Sequence, residues 1–130
     1  MGNPAVVMGD KVQGTCSVHQ VPNPSSGAPQ PAPPMPFSAP LLQSVDTTVL
    51  IGGKAAVVMG SSGMNTPPHV GLHASDPSMS PSMQTGRVTK GSATVLIGGK
   101  GAARTGDTCV MCAGVPGQLV GTATTVLIGG

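Results

Sequence analysis

The sequence predicts an all-β chain of three pseudo-repeated units packed around a common axis, and three observations carry that prediction. A β-branched phrase stopped by Gly-Gly recurs: Thr-Thr-Val-Leu-Ile-Gly-Gly at 47–53, Ala-Thr-Val-Leu-Ile-Gly-Gly at 93–99, and Thr-Thr-Val-Leu-Ile-Gly-Gly at 124–130. A second phrase opens each unit: Pro-Ala-Val-Val-Met-Gly-Asp at 4–10, Ala-Ala-Val-Val-Met-Gly-Ser at 55–61, and Ala-Ala-Arg-Thr-Gly-Asp at 102–107. No segment has the spacing of a convincing helix. Short β-branched runs closed by paired glycines read as strand, turn, strand. Internal repetition has to be read first, because units that cannot bury a face alone must stack. Three such units can close into a ring or a tapering prism.

The composition explains why such a chain needs more than a conventional core. Of 130 residues, 20 are Gly and 14 are Pro, Phe37 is the single aromatic residue of the Phe, Trp and Tyr class, and only 8% are charged. Disordered chains of this Gly and Pro content usually have low hydrophobicity and high net charge. Here the mean hydropathy is +0.20 and the formal net charge +2. Aromatic side chains ordinarily dominate core burial. Their scarcity predicts thin layers of small side chains, held by a metal, a partner or oligomerisation.

The same numbers exclude whole classes. The charge is too small and the aromatics too few for a nucleic-acid binder of the basic-patch or stacking kind. No apolar run has the length of a membrane-spanning helix. The N-terminal residues show no basic region followed by an apolar segment, so no signal peptide is expected. Assembly in the cytoplasm is the expectation. Three Cys is an odd number, such a compartment disfavours disulfides, and thiols that stay reduced there serve a metal as readily as each other. Residues 1–130 are expected to form one domain carrying two excursions. The Pro-rich insertion at 21–43, with eight Pro between 21 and 40, reads as extended polyproline-like loop. The Ser, Pro and Met-rich stretch at 74–86 reads as a second loop.

The repeated phrases resemble a known family. Pro4-Ala5-Val6-Val7, Ala55-Ala56-Val57-Val58 and Gly101-Ala102-Ala103-Arg104 look like degenerate copies of Pro-Ala-Ala-Arg, the motif that names the PAAR family. Each is followed by Gly-Asp or Gly-Ser, and Val-Leu-Ile-Gly-Gly-Lys is similar to the family's strand-turn phrase. The resemblance spans the three units and is closest to the PAAR-like branch with a long Pro-rich insertion. It implies a pointed, cone-like β-prism with long loops, stabilised by one zinc near its apex, typically from three His and one Cys. It implies a spike-tip protein of a contractile injection machine, either a type VI secretion system or a phage-tail-like extracellular particle. Such a tip sharpens the spike for membrane puncture and can link effector cargo.

All six His and Cys residues follow the repeated Gly-Asp or Gly-Ser: Cys16, His19, His69, His73, Cys109 and Cys112. A lone His in a loop is ordinarily just solvated. Confinement of all six to equivalent loops points instead to a shared metal, for which zinc favours four N and S ligands. Aligned on those glycines, Cys16, Pro67 and Cys109 share one level and His19, His69 and Cys112 the next. His73 lies close behind His69 and supplies a fourth corner. The expected set is His19, His69, His73 and Cys112, with Cys16 and Cys109 as alternates. A Cys16, His19, Cys109 and Cys112 site is the rival, since those spacings are ordinary for zinc. Cysteines that do not ligate are expected to be small buried packing residues.

Asp10 and Asp107 read as turn residues that satisfy nearby amides. No catalytic residue is expected, and the chain is read as a structural protein, not an enzyme. A zinc metalloenzyme would need an open metal position and a carboxylate base, and the chain has four Asp and no Glu. A secreted toxin or effector adaptor is the other alternative. The partner implied is a homotrimeric, VgrG-like spike bound by one monomeric tip per trimer, with transient contact to a target membrane on delivery out of the cell. The candidate contact strands are Thr48, Val49, Leu50 and Ile51; Thr94, Val95, Leu96 and Ile97; and Thr125, Val126, Leu127 and Ile128.

Overall fold

A short apolar segment in each unit enters a turn, leaves it as a hairpin, and returns as a strand that pairs with the next unit. The computed structural model describes residues 2–17, 19–76, 83–112 and 114–129; among these there are strands throughout and no α-helix. Three hairpins supply one six-stranded antiparallel sheet: β2 (Lys11–Cys16) with β5 (Met35–Pro40), β8 (Ser62–Met64) with β9 (Thr85–Val88), and β12 (Cys109–Met111) with β13 (Val115–Val120). The order β5-β2-β13-β12-β9-β8 sets the three hairpins side by side. Three two-stranded ribbons complete the units: β1 (Asn3–Ala5) with β14 (Ala123–Ile128), β6 (Asp46–Ile51) with β7 (Lys54–Ala56), and β10 (Leu96–Ile97) with β11 (Lys100–Gly101). Both Gly-Gly turns take positive φ at each residue, 60° and 82° in Gly52–Gly53 and again in Gly98–Gly99. Only glycine enters that conformation without a Cβ penalty, and the turn's twist matches the flanking strands.

A ring of backbone hydrogen bonds makes the three-fold order explicit. Val6 N–H donates to Ala103 O at 3.2 Å, Ala103 N–H to Val57 O at 3.0 Å, and Val57 N–H to Val6 O at 3.1 Å. A second ring follows two residues on, with Met8 donating to Ala55, Met59 to Gly101 and Thr105 to Pro4. Each segment then turns on a glycine of equivalent conformation: Gly9, Gly60 and Gly106 have φ of 95°, 96° and 90°. The repeated Asp or Ser serves that turn. Asp10 Oδ2 accepts Val7 N–H at 2.9 Å, Ser61 Oγ accepts Val58 N–H at 3.1 Å, and Asp107 Oδ2 accepts Arg104 N–H at 2.7 Å. One departure from symmetry carries a charge. Arg104 stands where the other units have Val7 and Val58, paired with Asp107 at 2.8 Å and donating to Gly129 O at 3.1 Å.

Two apolar clusters lie on either side of this ring. Ala5, Ala102 and Ile128, with Ile51, Ile97 and Ala123 against them, fill the space between the ribbons. Val6, Val57 and Ala103 open the larger cluster, which continues through Val12, Leu41, Val88 and Leu119 to Phe37, Met111 and Cys16 within the sheet. Most of these side chains are small, so the layers are thin, as the composition requires.

The Pro-rich insertion is more than the surface loop expected of it. Residues 20–22 and 29–31 pair as β3 (Gln20–Pro22) and β4 (Pro29–Pro31), and β5 pairs with β2 over six residues, Lys11↔Pro40 to Cys16↔Met35. Phe37 and Ala39 are buried on the core side of β5. Alternation explains how prolines fit there. Ser38 directs its N–H away from β2, to Asn65 Oδ1 at 3.0 Å. Pro36 and Pro40 share that parity, so their missing donors face the seam with β8, and proline is tolerated on just such an edge. Bonds from Leu42 and Gln43 to Ser62 O and from Thr66 to Ser38 O bring the two edges together, and the sheet is nearly a closed barrel. Of the second expected loop, 74–86, residues 77–82 lie outside the described residues, and its last two residues begin β9.

Asp10 makes the most demanding of the three turns. Besides Val7 N–H, its carboxylate accepts Thr122 N–H at 3.1 Å and Thr122 Oγ–H at 2.6 Å, tying the first unit to the third. Asp10→Ala leaves the buried Val7 N–H without a partner and removes both bonds from Thr122, and is expected to cost about 1–3 kcal/mol. Denaturant unfolding checks this. A loss below about 0.5 kcal/mol, the range of an ordinary surface substitution, would contradict it.

Candidate metal centre

The hairpin ends that lie farthest along the sheet from the ring carry the sulfur and imidazole groups. Cys16 is the last residue of β2 and is fully buried. Cys112 follows β12 in the short connection to β13, with φ of 52°. A non-glycine residue in the left-handed region is uncommon and costs energy, so it marks a position held for a purpose. Here it sets Cys112 beside Cys16, with 6.4 Å between their Cα atoms, and the two sulfurs meet as a disulfide. The same two sulfurs and a ring nitrogen of His19 lie within 4.8 Å of one another, so Cys16, His19 and Cys112 form a group that could hold a metal ion.

His69 reaches this group from the second unit. Its Nδ1 is 2.9 Å from His19 Nε2, and the two buried rings meet edge to face. Their other nitrogens assign the tautomers. His69 Nε2 lies 2.6 Å from Pro36 O, which only accepts, so Nε2 carries a proton. His19 Nδ1 lies 3.1 Å from Asp76 Oδ2 and donates to it. With both rings neutral, His19 Nε2 and His69 Nδ1 therefore turn lone pairs toward each other. Either a proton or a cation must lie between them. Reduced Cys16 and Cys112 with His19 offer S and N donors of the kind zinc takes, and the His69 ring stands against His19 at the edge of that group.

The support around these rings was not legible as ligand spacing. Gln84, fully buried, clamps the His69 backbone: His69 N–H donates to Gln84 Oε1 at 2.6 Å and Gln84 Nε2 donates to His69 O at 2.9 Å. Asn65 Nδ2 donates to the same Oε1 at 3.3 Å. Phe37 packs edge-on against the His69 ring. A histidine anchored through its neighbours' amides has no sequence signature beyond those amides being unexpectedly buried.

The remaining two candidates point elsewhere. His73 Nδ1 bonds Ser75 and its Nε2 donates to Gly27 O at 3.1 Å, so both ring nitrogens are occupied away from the sulfurs. Cys109 is a free thiol buried in the core with Met111 and Val88, where burial pushes its pKa up and keeps it protonated and inert.

The candidate partner strands occupy the ribbons. Leu50, Leu96 and Leu127 are 62%, 61% and 61% exposed, and Val49, Val95 and Val126 are each 37% exposed, so each unit presents the same apolar pair to solvent. Thr48, Thr94 and Thr125 are exposed beside them. Ile51, Ile97 and Ile128 instead turn inward onto the cluster between the ribbons.

Residues 80–130 match the family model described as PAAR motif, a span that covers the third unit with its Arg104, Cys109 and Cys112. No curated protein and no solved structure matches the chain.

Proposed function

We propose that this chain, which belongs to the PAAR family of spike-tip proteins, caps a homotrimeric spike of a contractile injection system as a single copy locked by one zinc ion. PAAR-family proteins serve contractile injection systems as structural spike tips. The observation that carries the finer reading is the hydrogen-bonded ring, in which one chain reproduces a three-fold axis through Val6, Val57 and Ala103. A three-chain spike ending bluntly would leave strand edges unpaired and open to wrong pairing. A chain with three equivalent ribbons can meet all three at once, through the exposed Val-Leu pairs by strand addition. The small side chains between those ribbons lie on one side of the ring, and the sulfur and imidazole groups on the other, so docking and metal locking use opposite ends.

The zinc set that the geometry supports is Cys16, His19, His69 and Cys112, with Cys16 taking the corner that the repeats suggested for His73. Four protein ligands leave no open position for a substrate or an activated water, which favours a structural role over the metalloenzyme. A tip of this kind assembles in the cytoplasm, leaves with the particle, touches the target membrane in passing, and can carry effectors through its exposed loops.

Native mass measurement of the tip co-expressed with its spike tests the stoichiometry. One tip per three spike chains is expected, with the free tip a monomer. Three tips per trimer, or no complex, would overturn the reading.

A further inference from the structure

Asp76 comes from the second unit, yet its carboxylate sits against the first unit's candidate ligand. Its Oδ2 accepts His19 Nδ1–H at 3.1 Å and Gln20 N–H at 2.8 Å, and both side chains of the His19–Asp76 pair are almost wholly buried. The segment that delivers it is latched to the same strand. His73 N–H donates to Gln20 O at 2.7 Å, Ser75 Oγ–H donates to Gln20 Oε1 at 3.1 Å, and Asp76 N–H donates to His73 O at 2.9 Å. His73 closes the latch from the other side through Gly27 O. The bonds to Gln20 and Gly27 tie residues 73–76 to the β3–β4 ribbon, and the Asp76–His73 bond closes the segment on itself.

We propose that Asp76 is a positioning residue for the metal: it fixes the His19 ring so that Nε2, and not Nδ1, faces Cys16, Cys112 and His69. This rests on the zinc reading above and extends it to a residue and a loop that ligand spacing does not mark. A carboxylate on the far nitrogen of a ligating histidine holds the tautomer and raises the basicity of the nitrogen that binds. His73 then has a role of its own. It holds the latch that carries Asp76, which accounts for a histidine beside the site whose nitrogens both point away from it.

The test uses the full chain, reduced, with zinc alone as ligand. Affinity is read by competition with a chromophoric chelator, and coordination by the visible spectrum of the cobalt-substituted protein. Asp76→Ala is expected to weaken zinc about 10–100-fold. Asp76→Asn, whose amide oxygen can still accept the His19 and Gln20 protons, is expected to recover part of that loss. Melting each variant with and without metal separates positioning from general stability. A positioning role shrinks the rise in Tm that zinc produces, whereas a merely structural role lowers both melting temperatures in parallel. If wild-type protein binds zinc tightly and Asp76→Ala binds it equally well with an unchanged cobalt spectrum, Asp76 has no such role. If wild-type protein itself takes up no zinc, the metal reading fails and this inference fails with it. If Asp76→Ala folds only with metal, its affinity is read by chelator withdrawal of zinc from the loaded protein, where affinity equal to the wild type's overturns the proposal.

Discussion

Removing zinc from the reduced protein is expected to lower Tm by about 15 °C or more, the largest single effect available in this chain. The reason is the deficit in the core. Phe37 is the one large aromatic in the sheet, and the cluster that reaches Cys16 and Cys112 is otherwise built mostly of Val, Ala, Leu and Met. Binding free energy at a structural zinc is folding free energy, because the unfolded chain offers no preformed site. His19→Ala, His69→Ala, Cys16→Ala and Cys112→Ala should each lose the metal and approach the metal-free Tm. Cys109→Ala should keep one equivalent of zinc and cost only about 1–3 kcal/mol, as a packing change does. His73→Ala should also keep the metal. Metal analysis and calorimetry on the six variants decide the ligand set. Zinc lost from His73→Ala but retained in Cys16→Ala would restore the set suggested by the repeats.

The comparison must be made under reductant, because Cys16 and Cys112 can also close their corner as a disulfide. A bond between residues 96 positions apart would restrain the unfolded chain by about 4–5 kcal/mol in the chain-entropy model. Oxidised, metal-free protein is therefore expected to melt above reduced, metal-free protein, and would mask the effect of zinc.

The sequence carried the three-fold plan because the plan is written in local chemistry. Gly-Gly pairs that need positive φ, a Gly followed by Asp or Ser in each ring turn, and β-branched strands all announce themselves residue by residue. The metal corner was less legible for a geometric reason. Aligning loops by distance from a shared glycine assumes that equivalent positions point to one place. The loops differ in length and course. The β3–β4 ribbon extends the first, His69 is pulled in by Gln84 from across its loop, and Cys112 turns on a left-handed backbone. Pro67 and Cys109 share the level of Cys16 in the repeats, so the alignment offers Cys16 only as an alternate ligand. The Pro-rich insertion misled in the other direction. Its prolines suggested a surface loop, yet their alternation suits a barrel edge, with Phe37 and Ala39 on the opposite parity facing the core.

Replacing Leu50, Leu96 and Leu127 together with Asp is expected to abolish binding to the spike while leaving the fold intact. The three side chains are more than half exposed, so the free tip loses little on their replacement, within about 0.5 kcal/mol per site. In a docked complex each would be removed from water, and burying a leucine is worth about 1.5–3 kcal/mol. Losing three, and placing carboxylates against an apolar partner, should weaken binding by more than about a thousand-fold. Single Leu→Ala changes at the three positions should give similar, smaller losses, because the ring holds their ribbons in equivalent settings. Leu127 is where any inequality should appear. Its strand, β14, pairs with β1 and lies next to Gly129, whose carbonyl accepts from Arg104 and Ser92, so the third ribbon is fastened in a way the other two are not. Leu42→Asp is the control: it is 58% exposed but lies at the barrel seam, beyond the ribbons, and should bind the spike as the wild type does. Pull-down with purified spike, read against the melting temperature of each variant, separates lost docking from lost folding. If the triple variant folds and still binds, the ribbons are not the docking face. If Leu42→Asp alone abolishes binding, the spike meets the barrel seam instead.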